Sequence, residues 1–184
     1  MNIFLKVLLN AVSLAIVWLV ALAIVLLVAE VSAEVPSTIA VPDGTALVTL
    51  HAEGAQVYQC KSDSDGKSPS QVGAPTWQFR EPIATLIVDG KSVGRHYAGP
   101  YWDHADGSGV NGKVAASAPG ATPNDIPWLK LDVVDHRGGG ILSNATTVQR
   151  INTKGGVVQG SCESAGNYLS VPYSADYVFL RKRD

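Results

Sequence analysis

The chain has 184 residues, with 14 Lys and Arg against 16 Asp and Glu, a formal charge of −2. That near balance, with no basic stripe beyond Arg181-Lys182-Arg183 at its end, argues against nucleic acid as a partner. Residues 34–184 are enough for one domain with its own core.

The first element is an apolar run from Val7 to Ala29, preceded by Lys6 and interrupted only by Asn10 and Ser13. It predicts an N-terminal hydrophobic helix. A signal peptide's apolar region spans roughly 7–15 residues and a membrane-spanning helix needs about 20. The run therefore reads either as an export signal, cleaved after Val31-Ser32-Ala33, or as a retained anchor. Both place residues 34–184 outside the cytoplasm, secreted or periplasmic, because the positive end stays inside. Any membrane contact is through residues 7–29 if they are kept. The organisation read from this is a leader at 1–33, an extended lead-in at 34–45 and a β domain at 46–184.

From there the apolar pattern has period two. ALVTLHA (46–52) and AQVYQC (55–60) flank Glu53-Gly54 and predict a hairpin. KSDSDGKSPSQVGAPT (61–76) is a polar loop. Its Asp63 and Asp65 suggest half of a calcium loop, but Val72 stands where the bidentate acid belongs. TWQF (76–79) and ATLIV (84–88) are short strand candidates separated by Pro82. Asp89-Gly90 is the strongest turn signal, since a type I′ turn needs two positive-φ residues. Asn111-Gly112 repeats it. PWLKLDVVDH (127–136), TTVQRIN (146–152) and YLSVPYSADYVFL (168–180) complete the strands. Short helical turns fit at 80–84 or 118–126. Short strands joined by glycine-bearing turns predict an all-β, single-domain antiparallel sandwich or barrel.

The two cysteines, Cys60 and Cys162, read as one disulfide outside the cytoplasm. It closes a loop of about a hundred residues, which the chain-entropy model values at about 4–5 kcal/mol.

GRHYAGPYWDHADGSG (94–109) concentrates the chemistry. His96, Asp103, His104 and Asp106 suit a divalent metal such as zinc, manganese or iron, with His96 at a strand end and the others in the following turn. The spacing matches no strong ligand signature. A turn explains the same residues, with the aspartates accepting backbone N–H groups and the aromatics packing. Asp103 and Asp106 also suit paired-carboxylate chemistry. Ser108 lacks the GxSxG setting of a nucleophile. His96, Tyr97, Tyr101, Trp102, Asp106 and Ser108 form a candidate surface for a small molecule or saccharide. Within it Tyr101 and Trp102 are expected to be exposed, and Trp77 and Trp128 to be core. Asn144-Ala145-Thr146 is a glycosylation sequon in a eukaryotic host.

VYQC (57–60), HYAGPYW (96–102), DGSGV (106–110), IPWLKL (126–131), QRINTKGG (149–156) and VPYSADYVF (171–179), in this order, resemble the DUF3455 family over residues 36–180. The resemblance implies an exported protein of a bacterium or fungus and brings no established activity. His96, Tyr97, Gly99, Pro100, Trp102, Asp106, Gly107 and Ser108 match the family pattern, and His104 lies outside it. A dinucleotide-binding enzyme is excluded, because no GxGxxG lies between a strand and a helix. Two readings remain: an exported binding module using 96–108, and a metal-dependent extracytoplasmic enzyme using His96, Asp103 and Asp106.

Overall fold

The computed structural model describes residues 34–62 and 73–183. The apolar run, its cleavage site and the acidic part of the 61–72 loop lie outside the described residues. No helix among the described residues is long and apolar enough to cross a membrane.

Eight antiparallel strands follow one another around a closed barrel: β1 (Gly44–Lys61), β2 (Thr76–Val88), β3 (Lys91–Tyr97), β4 (Tyr101–His104), β5 (Gly109–Ala118), β6 (Trp128–Arg137), β7 (Thr147–Gly155) and β8 (Tyr168–Lys182). Each strand pairs with the next, and β8 returns to β1 with a register running from Gly44 opposite Lys182 to Gln59 opposite Tyr168. Closure leaves no free sheet edge. Of the two all-β forms expected, the barrel is the one formed.

Alternation decides what faces inward. Leu50, Ala52, Ala84, Leu86, Trp102, Val110, Leu131, Val148, Ala175, Tyr177 and Phe179 are buried together in one core. Eight strands give an interior just wide enough to be filled by side chains or to hold one small ligand. Here the small residues Ala52, Ala84 and Ala175 sit beside Trp102, Tyr177 and Phe179.

Three local expectations are corrected. Glu53-Gly54 makes no hairpin: β1 runs through it for 18 residues. A Cβ on Gly54 would lie 2.0 Å from the Ile83 carbonyl oxygen, so this glycine lets two strands approach closely. Pro82 does not divide β2. It sits opposite Gln56 beside a register shift at Val57/Tyr58, an irregularity where a missing donor is tolerated. Asn111-Gly112 lies inside β5 at another register shift. A Cβ there would come within 3.0 Å of the Trp102 ring, so Gly112 makes room for the indole.

Asp89-Gly90 does form the β2–β3 turn, with φ of 49° and 71°, as a type I′ turn requires. Neither 80–84 nor 118–126 is helical. The first is strand and the second is turns and bends. The single helical turn among the described residues is 3₁₀, at Ser37–Ile39 in the lead-in, where fully buried Ile39 packs with Ala118 and Trp128. The Cys60–Cys162 disulfide is formed, with Cα atoms 5.9 Å apart, and ties the end of β1 to the β7–β8 connection.

Candidate functional site

The β3–β4 hairpin sorts the residues of 94–109 onto two faces. His96 pairs opposite Trp102, while Arg95 pairs opposite Asp103 and Tyr97 opposite Tyr101. Because faces alternate along a strand, His96 and Trp102 point into the barrel and the other two pairs point away. His96 is 3 % exposed and Trp102 1 %. Trp102, expected on a turn surface, is thus one of the most deeply buried side chains. Asp103 and His104 belong to β4 itself rather than to a turn.

Inside the barrel, His96 Nδ1 lies 2.9 Å from the Tyr101 carbonyl oxygen. A carbonyl only accepts, so Nδ1 carries the proton and Nε2 of the neutral ring is the acceptor. Burial pushes the imidazole pKa down to about 3, and the charge on Arg150 pushes the same way against the Tyr101 hydrogen bond. The ring stacks on Trp102 and tilts against Tyr177.

These side chains line a cavity of about 310 Å³ to which all eight strands contribute. Gln56 comes from β1, Pro82 from β2, His96 from β3 and Trp102 from β4. Val114, Leu131, Arg150 and Tyr177 come from β5 to β8 in turn. Phe79 and Val114, both lining residues, are 55 % and 53 % exposed, so the cavity has an apolar rim. Two buried N–H groups in its wall, Gln56 Nε2 and Trp102 Nε1, have no hydrogen-bond partner within bonding distance among the described residues, the Gln56 amide reaching the Tyr173 hydroxyl only through a weaker contact. Arg150 donates from Nε and Nη2 to the Pro127 carbonyl oxygen at 3.0 and 2.8 Å. No carboxylate among the described residues pairs with it.

The outer face is a different site. Asp103 accepts from Tyr97 Oη at 3.0 Å, from Arg95 Nη2 at 3.0 Å and from Arg137 Nη2. Burial raises its pKa, but the bonds from Arg95, Tyr97 and Arg137 outweigh this and hold it below the ordinary carboxylate range. Tyr97, Tyr101, Asp103, Asn111 and Arg137 line a shallow groove of about 210 Å³. Every oxygen of Asp103 is committed to a neighbour.

Asp106 is occupied in another way. Oδ1 accepts from the Ser108 hydroxyl at 2.6 Å and the Ser108 N–H at 2.9 Å, and Oδ2 accepts from the Ile141 N–H at 2.8 Å. Led by the Ser108 hydroxyl, these bonds hold its carboxyl well below the usual range. Ser108 Oγ in turn accepts from the Leu142 N–H at 3.2 Å, and Ser108 is 1 % exposed. His104 Nδ1 lies 3.0 Å from Asp106 Oδ1. Together these bonds staple the β4–β5 turn to the β6–β7 loop.

The six residues grouped as a binding surface therefore go to three places: His96 and Trp102 to the cavity, Tyr97 and Tyr101 to the outer groove, and Asp106 and Ser108 to the staple. The four candidate metal ligands divide likewise. Among the described residues no three His, Cys, Asp or Glu side chains gather as a metal site would require. Trp128 is core, as expected, while Trp77 is only half-buried.

Gln56, Arg150 and Tyr177 escaped the sequence reading. The signal for Gln56 is parity. It stands in register with inward-facing Leu50 and Ala52, a polar group at a core position.

No curated protein and no solved structure matches the chain at a significant level. Residues 41–181 match the family described as protein of unknown function (DUF3455), so the chain belongs to the DUF3455 family.

Proposed function

We propose that the protein is an exported binding module that holds a small molecule inside its barrel, against His96 and Trp102. The observation that carries this is the cavity of about 310 Å³ whose wall contains two buried N–H groups without a hydrogen-bond partner within bonding distance among the described residues. Buried donors ordinarily find an acceptor, and leaving one unmet costs about 1–3 kcal/mol. A ligand would supply what the protein does not. The volume sits at the low end of the roughly 300–1,000 Å³ typical of ligand pockets.

The mostly apolar lining favours an aromatic or aliphatic molecule over a saccharide, whose hydroxyls would each need a polar partner. The disulfide fits an oxidising compartment, and the apolar run before residue 30 supports export. No geometric observation favours the metal-dependent enzyme.

The test is a screen of small aromatic and aliphatic compounds by thermal shift and by quenching of tryptophan fluorescence. It is run beside Leu131→Trp, which fills the cavity. Saturable binding lost in Leu131→Trp, with that variant still folded, is the expected result. Binding that survives the filled cavity would overturn the assignment of the site.

A further inference from the structure

The buried groups of the cavity wall that lack a hydrogen-bond partner among the described residues are N–H donors, and they stand beside one acceptor, Nε2 of the neutral His96 ring. Gln56 Nε2 and Trp102 Nε1 are N–H groups without a partner within bonding distance among the described residues, Gln56 meeting the Tyr173 hydroxyl only weakly. Gln56 is 3 % exposed and Trp102 1 %. Arg150 adds a guanidinium that donates to the Pro127 carbonyl and to the Tyr177 hydroxyl and still has further donors in its five-donor fork. Its charge reaches Tyr173, Tyr177 and His96.

No carboxylate among the described residues neutralises Arg150. The cation at Arg80 differs in having Glu81 at 3.1 Å, and those at Arg95 and Arg137 share Asp103. Arg150 is thus a cation facing an apolar cavity, with two neutral donors in the same wall.

Resting on the reading of this cavity as a binding site, we propose that its ligand is a small monocarboxylic acid with an aromatic or aliphatic body. The carboxylate is held by Arg150 and Gln56, and the body packs against Trp102, Tyr177 and Leu131. An ionised carboxylate is an acceptor-only group that suits the planar Arg fork. A single arginine matches one negative charge, whereas a phosphate dianion would remain half compensated. The low-end volume restricts the body to something like one ring or a short chain.

The experiment titrates the full chain, purified with its disulfide intact, with benzoate and octanoate and with their neutral counterparts benzyl alcohol and 1-octanol. It follows heat and tryptophan fluorescence, in wild type, Arg150→Gln and Leu131→Trp. A charge-assisted hydrogen bond gives a preference of roughly tenfold or more for acid over alcohol. Arg150→Gln is expected to abolish that preference.

Alcohols binding as tightly as acids to the wild type would overturn the carboxylate inference and leave the cavity reading standing. Neither series binding would overturn both. The wild-type ratio needs no variant, so it decides even if Arg150→Gln fails to fold.

Discussion

The imidazole of His96 lies parallel to the indole of Trp102, with ring centroids 4.5 Å apart and planes within 7°. Both rings are buried in the barrel wall, and among the described residues the imidazole's hydrogen bond runs from Nδ1 to the Tyr101 carbonyl. A histidine held this way stays neutral far below the pH at which an exposed one charges.

That neutrality makes the fold sensitive to acid. The folded pKa is about 3, below the unfolded value of about 6.5. The unfolded chain therefore takes up a proton that the folded one refuses. The stability is fully present above about pH 6.5 and falls by about 1.4 kcal/mol per pH unit as pH drops toward 3. His96→Asn is expected to flatten this limb between pH 6.5 and 4.5, measured by urea unfolding at each pH. An unchanged slope in the variant would show that His96 is not its source.

The disulfide spans 102 residues of sequence. Replacing both Cys60 and Cys162 by Ala is expected to cost about 2–5 kcal/mol, read as a lower denaturant midpoint. Reductant should lower the midpoint of the wild type and leave that of the variant in place.

Two glycines, one of β1 and one of the β2–β3 turn, should behave oppositely. At Gly54 an added Cβ would meet the Ile83 carbonyl oxygen at 2.0 Å and Ala84 Cα at 2.5 Å, and backbone cannot step aside. Gly54→Ala is expected to abolish folding or remove several kcal/mol of stability. Around Gly90, with φ of 71°, nothing lies within 4 Å of an added Cβ. Gly90→Asn keeps the left-handed conformation accessible and is expected to cost about 1 kcal/mol or less. Thermal melts of the two variants separate close approach from turn chemistry.

Asp106 holds the β4–β5 turn to Ile141 and Ser108. Asp106→Ala is expected to lower the melting temperature without touching ligand uptake in the barrel, because the staple lies apart from the cavity lining. Its folded pKa is depressed, so its contribution is present above the unfolded value of about 3.9 and is lost as pH falls through the folded one. The acid effect of Asp106 thus begins where much of that of His96 is already spent. Loss of binding in a folded Asp106→Ala protein would contradict this division.

The class of fold was legible because period-two alternation is a local property, and so was Asp89-Gly90, whose two residues accept positive φ. Glu53-Gly54 and Asn111-Gly112 misled for a common reason. Glycine serves tight turns and also close approaches inside long strands, and only the neighbour across the sheet tells which. At Gly112 that neighbour is Trp102, ten positions back. The crowding of His96, Asp103, His104 and Asp106 in sequence suggested one site, yet alternation sends adjacent residues to opposite faces. Arg150 and Gln56 stand on β7 and β1, and nothing local marks either as meeting His96. Their convergence exists only once the barrel closes.

The β1–β8 seam joins the first and last strands of the barrel, and this sets the order in which the molecule can form. The hairpins from β2 to β7 assemble from nearby chain, but the seam waits for the last strand, so most of the sequence must be looped before it yields a contact. Topologies of this kind fold slowly. Until then β1 and β8 are two unpaired edges able to capture another chain. A Cys60–Cys162 bridge formed early holds the end of β1 near the start of β8 and shortens that search. The oxidised chain should close faster, and aggregate less on dilution from urea, than the reduced one.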